Sequence, residues 1–300
     1  MTTSGNRVCV VGSVNLDQSM RVRSLPRPGE TVLAASTTWS PGGKGGNQAV
    51  AAARAGASVD LVAALGDDDA AAKLRAHLSG NDVGLDGVLT LPGASGTAVI
   101  VVDDGAENLI VVAPGANAHL HLSSPAVRDA ITASDVVLLS LEIPVDTVLA
   151  AARLGRAGGA VVMVNASPVG SPADLERLAS TVDVVIVNDA ESREWHWPVD
   201  HLVVTRGADG AEYRTTDARV TVGAPAVEAI DTTGAGDVFA GVLAAGWHLG
   251  PEVALRRACA AGALATLVPG AGDCAPTEEA VDDVLETTDP ETASPERGGA

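Results

Sequence analysis

The chain has 300 residues and a formal net charge of −19, and 46% of its residues are apolar while only 2% are aromatic. The negative charge argues against nucleic acid and anionic membranes as general partners. No apolar run reaches the length of a membrane span, and no signal-peptide core precedes the first predicted strand. The three cysteines, Cys9, Cys259 and Cys274, fit neither a disulfide framework nor a zinc site, which favours a cytoplasmic protein.

The first predicted elements are a buried strand and a partly exposed antiparallel piece. RVCVVG at 7–12 is short, apolar and ends in glycine, as buried strands do, and Asn15 and Asp17 follow it. Residues 18–40 alternate loosely around the turn LPRPGE and predict half-exposed strands. A helix over 48–55 then ends at glycine, and SVDLVAALG predicts the next strand at 58–66.

The middle of the chain predicts a hairpin at 97–115 and then a regular strand and helix rhythm. Its strands are expected at 135–141, 160–165, 183–187 and 201–205. This rhythm predicts an α/β fold with a mostly parallel central sheet and helices on both faces. The two hairpin-like pieces predict a small β-sheet lid from about 18–40 and 97–113.

The last predicted elements are two helices and a tail. A glycine-rich loop opens a helix within 229–250, and a second helical run covers 251–267. We expect a single domain over 1–286, with a short helix at 278–285. Residues 287–300 are too poor in apolar side chains to pack, so an acidic, disordered tail is predicted there.

Two glycine-rich corners carry the candidate chemistry. The first, PGGKGGNQAVAAARAG at 41–56, is not a phosphate loop because no Ser or Thr follows its lysine. In the second, DTTGAGD, bare backbone at Gly234 and Gly236 lets consecutive N–H groups converge on an anion. Asp237 either complements the dipole of the helix or acts as a base that takes a proton from a hydroxyl group.

A set of polar residues, the polar rim, stands at strand ends or at the first corner. In an open parallel sheet, ligands bind outside the carboxyl ends of the strands. Taken singly, each residue also fits a cap or a turn. Together they offer the acceptors, donors and cation that a polyhydroxylated ligand needs. The polar rim consists of Asn15, Asp17, Lys44, Asn47 and Glu142.

Two later segments admit two interpretations each. Asn188 and Glu191 fit a helix capping box as well as a site that places a metal-bound water. Thr205 and Gly207, in VVTRGADG, fit a plain hairpin turn as well as the border of a nucleotide site. The six histidines show no pairing that suggests zinc.

In this order, the motifs resemble those of the ribokinase (PfkB) family of sugar kinases. The resemblance covers nearly the whole chain, and the two glycine motifs match the two signatures of the family, which are highly specific as a pair. The matching segments are VVGSVNLD, LPRPGET, PGGKGGNQAVAAARAGA, ALGDDD, PGAN, LLSLEIP, VNDAE, TRGADG and DTTGAGDVFAG.

The resemblance implies a sugar pocket beside an anion hole. Asp237 would be the catalytic base that activates the sugar hydroxyl group. The anion hole for the γ-phosphate would be formed by Gly234, Ala235 and Gly236. The residues implied to bind the sugar are Asn15, Asp17, Gly43, Lys44, Asn47, Glu142 and Asp237.

The resemblance also implies ATP, Mg²⁺ and a monovalent cation, K⁺. The nucleotide would be bound by Asn188, Thr205, Gly207 and Gly236, and Glu191 would help to place Mg²⁺ through water. The residues at the positions of the cation site are Asp231, Thr233, Ala265, Val268, Gly270 and Cys274. The lid would supply a homodimer interface.

The chain departs from the family pattern in two places. Between Asn188 and Thr205 the chain is short and lacks a helix that ribokinases have, so we expect Trp195 and Trp197 to cover that face of the sheet. Val268-Pro269 stands in the cation loop, where ribokinases often carry basic residues. Proline fixes the backbone direction there, so this departure bears on the K⁺ site.

The leading hypothesis is ATP-dependent phosphorylation of the 5-hydroxyl of D-ribose, giving ribose 5-phosphate. Deoxyribose, fructose, another pentose or a nucleoside are alternatives within the class, and the polar rim favours a small sugar over a nucleoside. A sugar-binding regulator that has lost turnover is the alternative from another class. A dinucleotide oxidoreductase is disfavoured because VVGSVNLD lacks the Gly-x-Gly-x-x-Gly spacing.

Overall fold

A computed structural model describes residues 6–105 and 107–288, which form two β-sheets with helices around the larger one. The smaller sheet, the lid, consists of β2 (Asn15–Arg21), β3 (Ser36–Gly42), β7 (Thr97–Val102) and β8 (Asn108–Ala113). The central sheet consists of β1 (Arg7–Val11), β4 (Ser58–Leu65), β5 (Val83–Gly84), β6 (Val88–Thr90), β9 (Val136–Ser140), β10 (Val161–Asn165), β11 (Val184–Asn188), β12 (His201–Thr205), β13 (Ala211–Arg214) and β14 (Arg219–Val222).

Helices connect most of the central strands. They are α1 (Lys44–Arg54), α2 (Asp69–Gly80), α3 (Pro125–Thr132), α4 (Val145–Gly158), α5 (Pro172–Ala179), α6 (Ala235–Gly246), α7 (Pro251–Ala265) and α8 (Glu278–Thr288). Within residues 6–105 and 107–288, no helix combines the length and the apolar character needed to cross a membrane.

The central sheet has the order β14-β13-β12-β11-β10-β9-β1-β4-β5, with β6 paired to β4. Its strands are parallel except for β13 and β14, which add an antiparallel edge. The lid has the order β3-β2-β7-β8. The predicted fold class, a mostly parallel sheet with a small β-sheet lid, is therefore confirmed.

The central sheet is buried on both faces, as β1 illustrates. Val8 and Val10 belong to the core under α1, α2, α6 and α7, whereas Cys9 and Val11 belong to the core under α3, α4 and α5. A strand covered on both sides needs apolar residues at every position, which explains the unbroken run VCVV. The carboxyl ends of these strands face the lid and the two glycine corners.

Some predicted boundaries differ from the observed ones. The lid strand β2 begins at Asn15 rather than at residue 18, and β3 ends at Gly42 rather than at 40. Helix α1 begins at Lys44 rather than at 48, so its first turn includes two glycines. A Cβ on Gly45 would lie 2.6 Å from the Gly12 carbonyl carbon, so close packing against β1 requires glycine despite its low helix propensity.

Two predictions concern the C-terminal half. The short connection between β11 and β12 contains a single 3₁₀ turn, and Trp195 covers the sheet there, packed edge-to-face against Trp197 at 5.8 Å between ring centroids. This agrees with the expected cover.

The predicted tail at 287–300 lies outside the described residues from 289 onward, and α8 extends as far as Thr288.

Helices α1 and α6 approach each other closely at a glycine. A Cβ on Gly241 would lie 2.4 Å from the Gln48 carbonyl oxygen and 2.8 Å from Ala51 Cβ. Both neighbours belong to fully buried residues of α1, and the Gln48 oxygen is a backbone atom. Since α1 and α6 begin at the two glycine corners, this contact brings the corners together.

We expect Gly241→Ala to lower the free energy of unfolding by about 1–3 kcal/mol, the usual cost of overpacking a core. Gly80→Ala is the control, because a Cβ there meets no atom within 4 Å. It should leave stability unchanged or raise it by up to about 1 kcal/mol. Equal stabilities of the two variants in urea denaturation would contradict the close α1–α6 contact.

Candidate active site

The first glycine corner lies against the end of β1. Gly43 has φ 84°, and a Cβ there would lie 2.8 Å from the Asn15 nitrogen. Only glycine allows both the left-handed backbone and this approach. The corner thereby directs the N–H of Lys44 to Glu142 Oε2 at 3.1 Å.

The second glycine corner begins α6. Gly234 has φ 82°, and a Cβ there would lie 2.8 Å from Ala271 Cα, so the corner packs tightly on the loop after α7. A Cβ on Gly236, in contrast, would meet no atom within 4 Å. The first-turn N–H groups at Gly236 and Asp237 lack acceptors within the helix and can serve a ligand.

The two corners meet at the carboxylate of Asp237. Asn47 donates from Nδ2 to Asp237 Oδ2 at 3.0 Å, and Lys44 Nζ lies 3.7 Å from Asp237 Oδ1. Asp237 is buried, and hydrogen-bond donors from α1 surround its oxygens. The structure thus joins residues that are 190 positions apart in the sequence.

Lys44 is the cation of this cluster. The Asp237 carboxylate raises the pKa of Lys44, burial acts in the opposite direction, and Glu142 and Glu191 reinforce the increase. The ammonium group therefore stays protonated, paired with Asp237 and under the added charge of Glu142 and Glu191. A phosphate group that reached Lys44 would compete with these carboxylates for the charge.

Glu142, beyond the end of β9, is held from two sides. Its Oε2 accepts hydrogen bonds from the Ser13 hydroxyl group and from the Lys44 N–H. The sequence analysis did not single out Ser13, although it lies within the VVGSVNLD motif. A serine next to a glycine at a strand end is common in turns, so nothing in the sequence marked it as a partner of Glu142.

Asn15 is fixed by a second residue that the sequence analysis passed over, Asn117. Asn117 Nδ2 donates to Asn15 Oδ1 at 2.8 Å, and Asn117 Oδ1 accepts the Val14 N–H at 3.0 Å. Both asparagines are buried. Asn117 belongs to the PGAN segment after the lid hairpin, so the lid and the end of β1 are hydrogen-bonded together at the polar rim.

Asp17 lies in the lid strand β2. Its Oδ1 accepts the Ala98 N–H at 3.1 Å. Burial raises the pKa of Asp17 to about 6, although that hydrogen bond opposes the change, and the charge of Glu142 adds to the increase. Asp17 is therefore the residue of the polar rim that changes charge just below neutral pH.

The segment after β11 forms a capping box. The Asn188 N–H donates to Glu191 Oε2 and the Glu191 N–H donates to Asn188 Oδ1, both at 2.8 Å. The capping box, one of the two interpretations of this pair, is thus formed in the structure. It leaves room for a ligand role as well, because Glu191 is near enough to Lys44 to raise its pKa.

A cavity of about 1050 Å³ lies between the ends of β11 and β12 and the helices α6 and α7. Phe239 and Ala263 line it from the helices. The sequence-predicted nucleotide residues all line it as well, namely Asn188, Thr205, Gly207 and Gly236. Its size lies at the upper end of the range of small-molecule sites.

The predicted cation residues gather in the loops around Asp231. Asp231 Oδ1 accepts the Thr233 N–H at 2.9 Å and Oδ2 accepts the Gly270 N–H at 2.8 Å. Burial opposes the effect, but these hydrogen bonds lower the pKa of Asp231, which stays ionised. The Ala265 carbonyl oxygen accepts the Val268 N–H at 3.2 Å, which holds the loop after α7 in place.

Only some of the potential ligand atoms in these loops suit a hard monovalent cation. A carboxylate and backbone carbonyl groups offer the oxygen ligands that such ions take. Cys274 brings sulfur instead, and its thiol lies 3.3 Å from the Ala271 carbonyl oxygen, as a donor. Within 6–105 and 107–288, no three His, Cys, Asp or Glu side chains come together as a metal-binding group.

We expect Asp17→Asn to change stability in a pH-dependent way. The folded protein keeps this carboxyl protonated up to about pH 6, whereas an unfolded chain releases the proton near its ordinary pKa of about 4, so folded-state stability falls as the pH rises between them. The variant should therefore be more stable than the wild type by up to roughly 3 kcal/mol at pH 8, and the difference should nearly vanish near pH 4.

Denaturation of both proteins at pH 4 and pH 8 measures this difference. The exposed Asp104, in the turn of the same lid, provides the control variant Asp104→Asn. If the stability difference between Asp17→Asn and the wild type is the same at both pH values, burial does not raise the pKa of this carboxyl group.

Comparison with known proteins connects this geometry to a family. The sequence model of the pfkB family of carbohydrate kinases matches residues 6–278. The ribokinase of Bacillus subtilis is 33% identical over 93% of this chain and 99% of its own length, and a deoxyribokinase of Salmonella typhi is 31% identical over 79% and 84%. The bifunctional ribokinase/ribose-5-phosphate isomerase A of Fructilactobacillus sanfranciscensis is 30% identical over 93% of this chain, which spans 56% of that longer protein.

Solved structures agree with the sequence relatives. Arabidopsis thaliana ribokinase complexed with ribose and ATP superposes with a TM-score of 0.87 at 27% identity, over 95% of this chain and 99% of that one. Cryptococcus neoformans ribokinase in complex with ADP superposes with a TM-score of 0.81 at 29% identity, over 93% and 99%. The chain belongs to the pfkB family of carbohydrate kinases and is a phosphotransferase that acts on a sugar hydroxyl group.

Proposed function

We propose that this chain is an ATP-dependent kinase that transfers the γ-phosphate to the 5-hydroxyl of D-ribose and forms ribose 5-phosphate. The observation that carries the proposal is the meeting of Asp237 with Lys44 and Asn47 beside a cavity of nucleotide size. The ribokinase relatives, and the neighbours crystallised with ribose, ATP or ADP, support this pair of substrates.

In the proposed reaction, Asp237 accepts the proton of the sugar hydroxyl as its oxygen attacks the γ-phosphate, and ADP leaves. The donors on α1 hold the carboxylate in a fixed position, which favours in-line approach of the bound sugar. The anion hole of Gly234, Ala235 and Gly236 would stabilise the charge on the phosphoryl oxygens, chiefly through the N–H of Gly236, because the Ala235 N–H already donates to the Thr232 carbonyl oxygen at 3.3 Å. The sugar would be bound by Gly43 and the polar rim.

The nucleotide would lie in the cavity, in contact with Asn188, Thr205, Gly207 and Gly236. Glu191 would hold Mg²⁺ through water, and that ion would neutralise charge on the phosphate groups. K⁺ would be held in the loops formed by Asp231, Thr233, Ala265, Val268, Gly270 and Cys274. In that set, oxygen atoms would coordinate K⁺, and the thiol of Cys274 would lie beside them.

The exposed face of the lid supports a homodimer. Trp39 on β3 is 54% exposed, and Leu109, Ile110, Val111 and Val112 on the edge strand β8 are 43–57% exposed. An edge strand with contiguous apolar residues is suited to pairing with a second copy. The buried free thiols of the three cysteines suit the reducing cytoplasm, where we place the protein.

The alternative sugars differ from ribose in hydroxyl groups that the polar rim would contact. Deoxyribose is the alternative that a specific relative favours, the deoxyribokinase of Salmonella typhi. A nucleoside is less well supported, because no member of the polar rim is aromatic. A sugar-binding regulator would lack turnover altogether. It would need neither the buried Asp237 nor the open backbone at Gly236, so both features count against this alternative.

The decisive experiment measures ADP release with ATP and Mg²⁺ for a panel of ribose, deoxyribose, fructose and nucleosides, with and without K⁺. We expect ribose to give the highest kcat/KM. A higher value for another sugar would reassign the substrate. Saturable ribose binding in calorimetry without ADP release would favour the regulator.

Asp237→Asn should reduce kcat by at least about a hundredfold, because the general base is lost, while ribose binding stays within a few-fold. Asp146→Asn is the matched control, because Asp146 is an exposed first-turn aspartate of another helix, α4, and its carboxylate pairs with Arg177. The control should keep wild-type kcat. Equal activity of Asp237→Asn and the wild type would leave the aspartate only the role of complementing the helix dipole.

Gly236→Ala should impair use of ATP without harming the fold. The added methyl group meets no protein atom within 4 Å and would occupy the space in front of the anion hole. We expect kcat/KM for ATP to fall at least about tenfold through misplacement of the phosphate, with an unchanged Tm. Gly223→Ala, whose Cβ also meets open space but lies outside the cavity, should behave as the wild type.

A further inference from the structure

Gln48, in the second turn of α1, is a buried polar side chain to which the proposed reaction assigns no role. It is 0% exposed and has four alanines and a valine after it in the helix. Its Nε2 donates to Asp237 Oδ1 at 3.1 Å and to Asn165 Oδ1 at 3.4 Å. Burying an amide among apolar residues is costly unless its hydrogen bonds are made, so this placement calls for a reason.

The two acceptors determine which way the amide of Gln48 points. An ionised carboxylate can only accept hydrogen bonds, so the NH₂ group of Gln48 must face Asp237. Asn165, at the end of β10, in turn donates from Nδ2 to the Ile186 carbonyl oxygen at 3.5 Å. A chain of hydrogen bonds therefore runs from β11 through Asn165 and Gln48 to Asp237.

The remaining oxygen of Gln48 has no hydrogen-bond partner among the described residues, and neither does the hydroxyl group of Ser140. Ser140 is the direct neighbour of Asn165 in the sheet, so its unsatisfied hydroxyl group belongs to the residue next to the one that Gln48 contacts. Leaving an acceptor unsatisfied costs free energy. Gln48 thus gives up one hydrogen bond while directing its donors to Asp237 and Asn165.

We infer that Gln48 is a positioning residue for the catalytic base: it holds Asp237 Oδ1 from the core side, while Asn47 and Lys44 hold the carboxylate from the sugar side. This inference rests on the proposed function. Gln48 is fully buried and cannot touch the sugar. Lys44, whose side chain is 25% exposed, can turn toward a bound ligand, so the contact with Gln48 is the one that persists during the reaction.

A hydrogen bond to an ionised carboxylate favours that form over the protonated one. Loss of the Gln48 donor should therefore move the acid limb of the kcat profile to higher pH. The other ionisable groups near the carboxylate are Lys44 on α1, Glu142 and Glu191 beyond it, and the thiol of Cys274 in the loop after α7. None of them is changed by a substitution at position 48.

The test uses Gln48→Met, which keeps the length of the side chain and removes the donor, and Gln48→Glu, which keeps the shape and adds a charge. For Gln48→Met we expect kcat to fall about 10- to 100-fold, as the loss of a hydrogen bond to a charged group predicts. The acid limb should move up by about one pH unit, and the KM for ribose should stay within about twofold. Gln48→Glu should move the limb further, because a second carboxylate would face Asp237.

Asn6 provides the matched control, because its Nδ2 donates to the Ala244 and Ala245 carbonyl oxygens at the opposite end of α6. Asn6→Leu should lower Tm and leave the acid limb in place. If Gln48→Met does not fold, the profile of Gln48→Glu decides alone. A wild-type acid limb in the folded variants, or a raised KM with unchanged kcat, would overturn the positioning role.

The same measurements separate this inference from the proposed function. If the wild type phosphorylates ribose and Asp237→Asn does not, but Gln48→Met has the wild-type profile, only the role of Gln48 fails. If the wild type transfers no phosphate to any sugar, the proposed function fails first. In that case calorimetry still compares ribose binding by the wild type and by Gln48→Met. Equal affinities would show that Gln48 does not contact the sugar.

Discussion

The structure of the site depends on one contact, the close packing of α1 against α6. The two helices begin at separate glycine corners, and the missing side chain at Gly241 lets their axes approach. That approach brings Asn47 and Gln48 within hydrogen-bond distance of Asp237. A carboxylate in the first turn of a helix would ordinarily face solvent and merely complement the dipole. Here it is enclosed by amide donors and one lysine, so its position is determined by the core rather than by water.

Much of the fold could be predicted because it follows from local patterns. The short apolar runs marked the buried strands, and the loose alternation at 18–40 and the hairpin at 97–115 marked the lid. Glycine at 43 and 234 indicated bare backbone at two turns, and both have the left-handed conformation. The early start of α1 could not be read from propensity, because Gly45 is required by its contact with Gly12 across the chain.

The partners within the site were harder to predict because they are long-range pairs. Ser13 reaches Glu142 and Asn117 reaches Asn15, over 129 and 102 positions, and no periodicity links such residues. The sequence left two interpretations open for Asn188 and Glu191, a capping box or a ligand site. The structure shows why both were reasonable: the reciprocal hydrogen bonds are made, and Asn188 also lines the cavity.

The charges at the site explain how an acidic protein can handle an anionic nucleotide. The cluster sets one lysine, Lys44, against the three acidic residues Glu142, Glu191 and Asp237, so its formal charge is negative. Arg206, at the cavity, is already paired with the buried Glu212, which two further arginines also contact. Attraction for phosphate must therefore come from backbone N–H groups at the start of α6 and from cations that enter with the nucleotide. This is consistent with the proposed use of Mg²⁺ and with the proposed anion hole at the second glycine corner.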